Sequence, residues 1–333
     1  MMRSSSRVLA ALLASAVVLA GCGGDGGSSG GAPADDRPTV VVTTNILGDV
    51  VENLVGDELR VVTIMAVGSD PHEFQASAQQ VAQIRAADVL IVNGAGFEEG
   101  LLDVIESAEG DGVPIFEAIG TVETIALDAG SHDDEHDDGD EHNDVDEHND
   151  EHDLQGVDPH FFTDPARMVR AADGIVAFLI ANVDGVDATA LEANAASYTA
   201  RLESLDADVE ALLVAIPSDR RVLVTNHEVF GYFADRYGFE VAGTIIPGGS
   251  TADGANAQAL VELAEVIEHE GVPAIFADTS SSGELASTLA DEVGDVRVIE
   301  LYSESLGADD SDGATYLNMI RTNAERIADA LSG

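Results

Sequence analysis

Ser77-Ala78-Gln79-Gln80-Val81-Ala82-Gln83-Ile84-Arg85-Ala86-Ala87-Asp88-Val89-Leu90-Ile91-Val92-Asn93 is the stretch that decides the architecture. Ser77 and Gln80 stand at capping-box spacing, where hydroxyl and amide oxygen each take a backbone N–H, so a helix is predicted from Ser77 to Ala87. Asp88 to Asn93 is an apolar, β-branched run, too short for a helix and suited to a strand buried on both faces. A helix that feeds directly into such a strand is half of a β-α-β unit. Alternation of this kind belongs to parallel sheets with helices on their faces.

The same signal recurs on both sides. Thr39 to Thr44 and Leu59 to Met65 are strand-like runs upstream. After residue 220 the alternation returns, with Arg221 to Thr225, Phe239 to Thr244, Ala274 to Ala277 and Val296 to Leu301 as strands. Helical patterns separate them, including Asn256 to Glu270 and Ser281 to Glu292, the latter with Ser281 and Glu284 at capping-box spacing. Asp164-Pro165 supplies an N-cap and first-turn proline for a helix through Ile180. From Thr189 to Ala215, Leu191, Leu202, Leu205, Val209 and Leu212 or Leu213 fall near one face, with Thr189 and Glu192 as a start signal. That reach makes about 40 Å of helix, a strut and not a loose hinge. The predicted fold is α/β with two lobes, each a mainly parallel sheet flanked by helices, joined by one long rigid helix.

Composition limits what such a fold does. The 333 residues carry 14 Lys+Arg against 63 Asp+Glu, a net charge of -49, which excludes a nucleic-acid partner. A 45% hydrophobic content is too high for a wholly disordered acidic chain. All the basic residues are Arg, so Schiff-base and P-loop chemistry, which need Lys, are absent. Cys22 is the single cysteine, so no disulfide forms within the chain.

At the N-terminus, Arg3 and Arg7 precede an apolar stretch from Val8 to Ala20, too short to span a bilayer and suited to the core of a secretory signal. Leu19-Ala20-Gly21-Cys22 follows, and then the Gly/Ser-rich run from Gly23 to Gly31. The tetrapeptide resembles the lipobox of bacterial lipoproteins, which implies cleavage before Cys22, a lipid on its thiol and a flexible tether behind it. The domain organisation expected is a signal peptide at 1–21, a lipid-anchored tether at 22–37, an N-terminal lobe at 38–185, a linking helix at 186–216 and a C-terminal lobe at 217–333. Within the first lobe, residues 131–153 hold thirteen acids and five histidines (His132, His136, His142, His148 and His152) with Val145 as the only aliphatic residue. Such a segment has nothing to bury and reads as a disordered loop that collects metal weakly.

Of the remaining histidines, His72 lies in Gly68-Ser69-Asp70-Pro71-His72 between a strand and a capped helix. His160 lies in Asp158-Pro159-His160-Phe161-Phe162-Thr163-Asp164-Pro165, again before a helix, and His227 follows a strand in Asn226-His227-Glu228-Val229-Phe230-Gly231-Tyr232-Phe233. These are the strand and helix ends where open α/β sheets hold ligands. Each alone reads better as an incidental or capping histidine than as a ligand. His269, near a helix C-terminus, complements the helix dipole.

Taken in order, the lipobox, Gly-Ser-Asp-Pro-His, the His/acid-rich loop, Asp-Pro-His-Phe-Phe-Thr-Asp-Pro and Asn-His-Glu-Val-Phe-Gly-Tyr-Phe resemble the metal-binding receptors of bacterial zinc and manganese ABC importers, zinc branch. The resemblance implies a non-enzymatic, monomeric lipoprotein on the outer face of the cytoplasmic membrane. It also implies that Zn²⁺ binds with high affinity between the lobes and passes to an ABC permease and its ATPase. It assigns His72, His160 and His227 as ligands and Glu304, in Ser303-Glu304-Ser305-Leu306-Gly307, as the fourth, with Asp278 in reserve. Three imidazoles and a carboxylate suit zinc, while manganese favours a site richer in oxygen, so a manganese receptor is the alternative. A zinc hydrolase is the rival from another class, but the chain has no His-Glu-x-x-His helix and Glu304 would close the open coordination position.

Overall fold

The computed structural model describes residues 37–127 and 156–332. The expected signal peptide, Cys22 with its tether to residue 36, and the segment carrying His132, His136, His142, His148 and His152 lie outside the described residues.

The first lobe runs β1 (Thr39–Val42), α1 (Asn45–Val55), β2 (Arg60–Thr63), α2 (Ala78–Arg85), β3 (Val89–Val92), α3 (Leu102–Gly110) and β4 (Ile115–Glu117). Helices α4 (Pro165–Asn182) and α5 (Ala188–Leu213) follow. The second lobe runs β5 (Val222–Thr225), α6 (Gly231–Tyr237), β6 (Glu240–Thr244), α7 (Ala257–Glu270), β7 (Ala274–Asp278), α8 (Glu284–Val293), β8 (Arg297–Leu301) and α9 (Tyr316–Leu331). Both sheets are parallel and share one topology, in the orders β2-β1-β3-β4 and β6-β5-β7-β8.

Strand residues alternate between cores, as a two-residue period requires of a sheet covered on both faces. Val40 and Val42 face one apolar core and Val41 another; Val89 and Ile91 join the first, Leu90 and Val92 the second. In the second lobe Leu223 and Phe276 join the same first core, while Val224 and Ile275 face a third. The shared core passes through α5, whose Leu191, Ala195, Tyr198, Leu202, Leu205, Val209 and Leu213 are buried at helical spacing. Each full burial of such a side chain contributes roughly 1.5–3 kcal/mol, so the helix is packed along its length into both lobes.

Helix starts show where the local rules hold. Ser77 and Gln80 form the capping box at α2, and Asp164 caps α4 by accepting from Ala166 N–H. The other two expected boxes do not form. At α5 the side chain of Asp187 accepts from the N–H groups of Thr189 and Ala190 and starts the helix one residue earlier. At α8 the Ser281 hydroxyl instead accepts from the Asn226 amide at 3.2 Å, and the helix begins at Glu284 without a side-chain cap. Among the described residues no helix is long and apolar enough to cross a membrane.

Candidate metal centre

The strands place their C-terminal ends at one crevice, and the loops leaving β2, β5 and β8 carry His72, His227 and Glu304. His160 enters from the segment before α4. Two of the imidazoles are set by the same local device. In each Asp-Pro-His tripeptide the Asp Oδ1 accepts the His backbone N–H, at 3.0 Å for Asp70 and His72 and 2.9 Å for Asp158 and His160. Proline between them fixes φ, so the aspartate side chain turns the chain and aims the ring. His227 is held by its backbone, whose carbonyl accepts the Thr225 hydroxyl at 2.7 Å.

One potential ligand atom from each of His72, His160, His227 and Glu304 lies within 4.8 Å of the others, and all four residues are buried. The three Nε2 atoms face a single oxygen, Glu304 Oε1, at 2.8, 3.4 and 2.9 Å from His72, His160 and His227. Carboxylates outside the centre fix two tautomers: Glu99 Oε1 is 3.0 Å from His72 Nδ1, and Asp158 Oδ1 is 2.8 Å from His160 Nδ1. Each accepts a hydrogen bond from Nδ1–H, which keeps the proton on Nδ1 and leaves the Nε2 lone pair aimed inward. Phe97 packs edge-on against both rings, with centroid distances of 5.1 Å to His72 and 5.5 Å to His160.

Lone pairs that converge on a carboxylate need positive charge between them. Burial pushes the His160 imidazole down, but the Asp158 and Glu304 carboxylates outweigh it and raise its pKa to about 9. Burial and Glu304 oppose each other at His72 in the same way, with a net upward shift. For Glu304 burial acts upward, yet the three imidazoles hold its carboxyl well below the usual range. Among the described residues Glu304 Oε2 and His160 Nε2 have no hydrogen-bond partner although both are buried. A cation satisfies all of these groups at once, and the donor set of three nitrogens and one oxygen could hold a divalent metal.

Asp278, at the end of β7, is also buried but lies outside this cluster; its carboxylate accepts from Ser280 N–H at 2.8 Å and Ser280 Oγ–H at 2.5 Å. Its pKa is raised by burial and then by the charge of Glu304. His269 is exposed, beside Glu270. Sequence reasoning gave no role to Glu99, Phe97 or Asp158. The repeated Asp-Pro-His was a usable signal for Asp158, whereas Glu99 and Phe97 come from the loop after β3 and had none. A cavity of about 490 Å³ beside the centre is lined by His72, Glu99, Glu117 and Asp253 among others, and His72 is the only one of the four converging residues on it.

Comparison with known proteins identifies the family and the fold. The family described as zinc-uptake complex component A, periplasmic, matches residues 40–330. The zinc-binding protein TroA of Treponema pallidum is 30% identical over 303 residues, covering 89% of each chain. The manganese-binding lipoprotein MntA of Halalkalibacterium halodurans is 26% identical over 293 residues, covering 88% of each. The solved structure of T. pallidum TroA superposes with a TM-score of 0.77 at 28% identity, covering 89% of this chain and all of that one. The chain therefore belongs to the zinc-uptake complex component A family, whose members are substrate-binding receptors of metal ABC transporters and not enzymes.

Proposed function

We propose that this receptor captures Zn²⁺ with high affinity between its lobes, on the outer face of the cytoplasmic membrane, and delivers it to an ABC permease driven by its ATPase. The observation that carries the reading is the convergence of three imidazole Nε2 atoms and one carboxylate oxygen within 4.8 Å. Zinc bonds at about 2.0–2.2 Å in a tetrahedral shell, so small side-chain shifts bring all four donors to an ion at the centre. His72, His160, His227 and Glu304 are the proposed ligands, and Asp278 stays outside the shell. A nitrogen-rich set favours zinc, and a carboxylate in place of an imidazole moves a site toward manganese. Relatives named as manganese-binding keep that metal as the rival.

A lipid on Cys22 holds the protein at the membrane, and the His/acid-rich segment 131–153 collects zinc weakly in addition to the tightly held ion. Two relatives are themselves named lipoproteins, which supports the anchor. Dialysis against zinc followed by metal analysis is expected to find one tightly held ion per chain. Changing His72, His160 or His227 to Ala should weaken it strongly. Tight binding that survives these changes overturns the ligand assignment, and preferential retention of manganese in direct competition overturns the choice of metal.

A further inference from the structure

Four side chains meet at the centre, two from each half of the molecule, and three of them have local support. Glu304 does not. Among the described residues its carboxylate makes polar contacts with the three imidazoles alone, and Oε2 has no hydrogen-bond partner. Its placement depends on the backbone that carries it, and that backbone is gripped from the opposite lobe. The side chain of Asn45, at the start of α1, accepts the Leu306 N–H on Oδ1 at 2.8 Å. Its Nδ2 donates to Ser305 Oγ at 3.1 Å and to the Ala66 carbonyl at 3.2 Å. Gly68 N–H donates to the same Ser305 hydroxyl at 2.6 Å. Ala66 and Gly68 belong to the loop that leads to His72. One buried amide thus ties the two residues after Glu304 to the chain that carries His72, with its oxygen facing a donor and its nitrogen facing acceptors.

We propose that Asn45 is the positioning residue for the fourth ligand. It sets the distance between Glu304 and the first-lobe imidazoles, so the coordination shell is complete only when the Asn45 contacts bridge the lobes. This rests on the reading of Glu304 as a ligand. Asn45 hydrogen-bonds to Ala66, Ser305 and Leu306 and to none of the four converging side chains, and its effect on the metal has to pass through the 304–306 backbone. Bonds of this outer kind typically contribute 10–100-fold to metal affinity, because they hold ligands in the bound geometry.

The test is a double-mutant cycle on the full chain, with zinc affinity read by chelator competition and coordination read from Co²⁺ absorption in the visible region. Asn45→Ala is expected to weaken zinc roughly 10–100-fold and to lower the intensity of the Co²⁺ bands as water replaces the carboxylate. Asn45→Asp keeps the acceptor for Leu306 N–H and should lose less. In a Glu304→Ala background, Asn45→Ala should cause no further loss, since the ligand it positions is gone. Should Asn45→Ala fail to fold, Ser305→Ala removes the cross-lobe hydroxyl from the other side and takes its place in the cycle. If the two losses simply add, or if the Co²⁺ spectrum of Asn45→Ala matches the parent, Asn45 serves folding alone and the proposal fails. If instead Glu304→Ala leaves zinc affinity unchanged, the ligand reading beneath the proposal is what fails.

Discussion

Gly231 offers the sharpest test of how the centre is supported, because an added methyl group there reaches a ligand's partner without touching a ligand. Gly231 opens α6 with an ordinary helical backbone, so alanine brings no conformational strain. A Cβ at this position would overlap Asp158 Oδ2, with Ile125 Cδ1 next at 3.1 Å. The Asp158 carboxylate has to rotate or retreat. Its Oδ1 makes two bonds at stake, to His160 N–H at 2.9 Å and to His160 Nδ1 at 2.8 Å. Losing the partner that fixes a ligand's tautomer and orientation typically costs 10–100-fold in metal affinity, and that range equals about 1.4–2.7 kcal/mol. Zinc competition with a chromophoric chelator should show a loss of that size for Gly231→Ala. Asp158→Asn, which withdraws the charge without the clash, should fall in the same range. An unchanged affinity for Gly231→Ala would refute the reasoning, since it would mean that His160 does not need Asp158 to present Nε2.

Three further outcomes are expected. Replacing His227 by Glu exchanges an imidazole for a carboxylate at the centre, and competitive dialysis should show preference moving from zinc toward manganese; an unaltered metal ratio would detach His227 from selectivity. Deleting residues 132–152 should remove weak zinc equivalents in equilibrium dialysis and leave the tightly held ion, whereas loss of the tight ion would place the principal site in that segment. Changing Cys22 to Ser should move the protein from the membrane fraction to the soluble fraction of cells and abolish incorporation of labelled fatty acid, and persistent membrane association would point to another anchor.

The parts of the fold that were legible in sequence are those governed by neighbours along the chain. Val89 to Val92 forms a strand because four successive apolar residues need two covered faces, and α2 starts where Ser77 and Gln80 satisfy its free N–H groups. The same local rule misplaced the starts of α5 and α8. At Ser281 a tertiary partner, Asn226, took the hydroxyl that the helix would have used, and at Asp187 a nearer side chain reached the first turn sooner. The centre divides in the same way. His72 and His160 were visible because Asp-Pro-His is a local turn that presents a ring, and His227 because it follows a strand.

What the sequence determined by itself is the alternation of strand and helix, the acidic composition that excludes nucleic acid, and a set of residues able to ligate a metal. That these residues meet was implied by the family resemblance alone and by no residue pattern. Glu304 stands 232 residues from His72 in the chain yet lies 2.8 Å from it, and the pairs His72 with Glu99 and Asn45 with Leu306 likewise join distant segments. No periodicity or spacing carries that information. Convergence is fixed by two parallel sheets packed on a common core, because only a rigid interior can hold loops from different strands at bonding distance and aim three lone pairs at one oxygen.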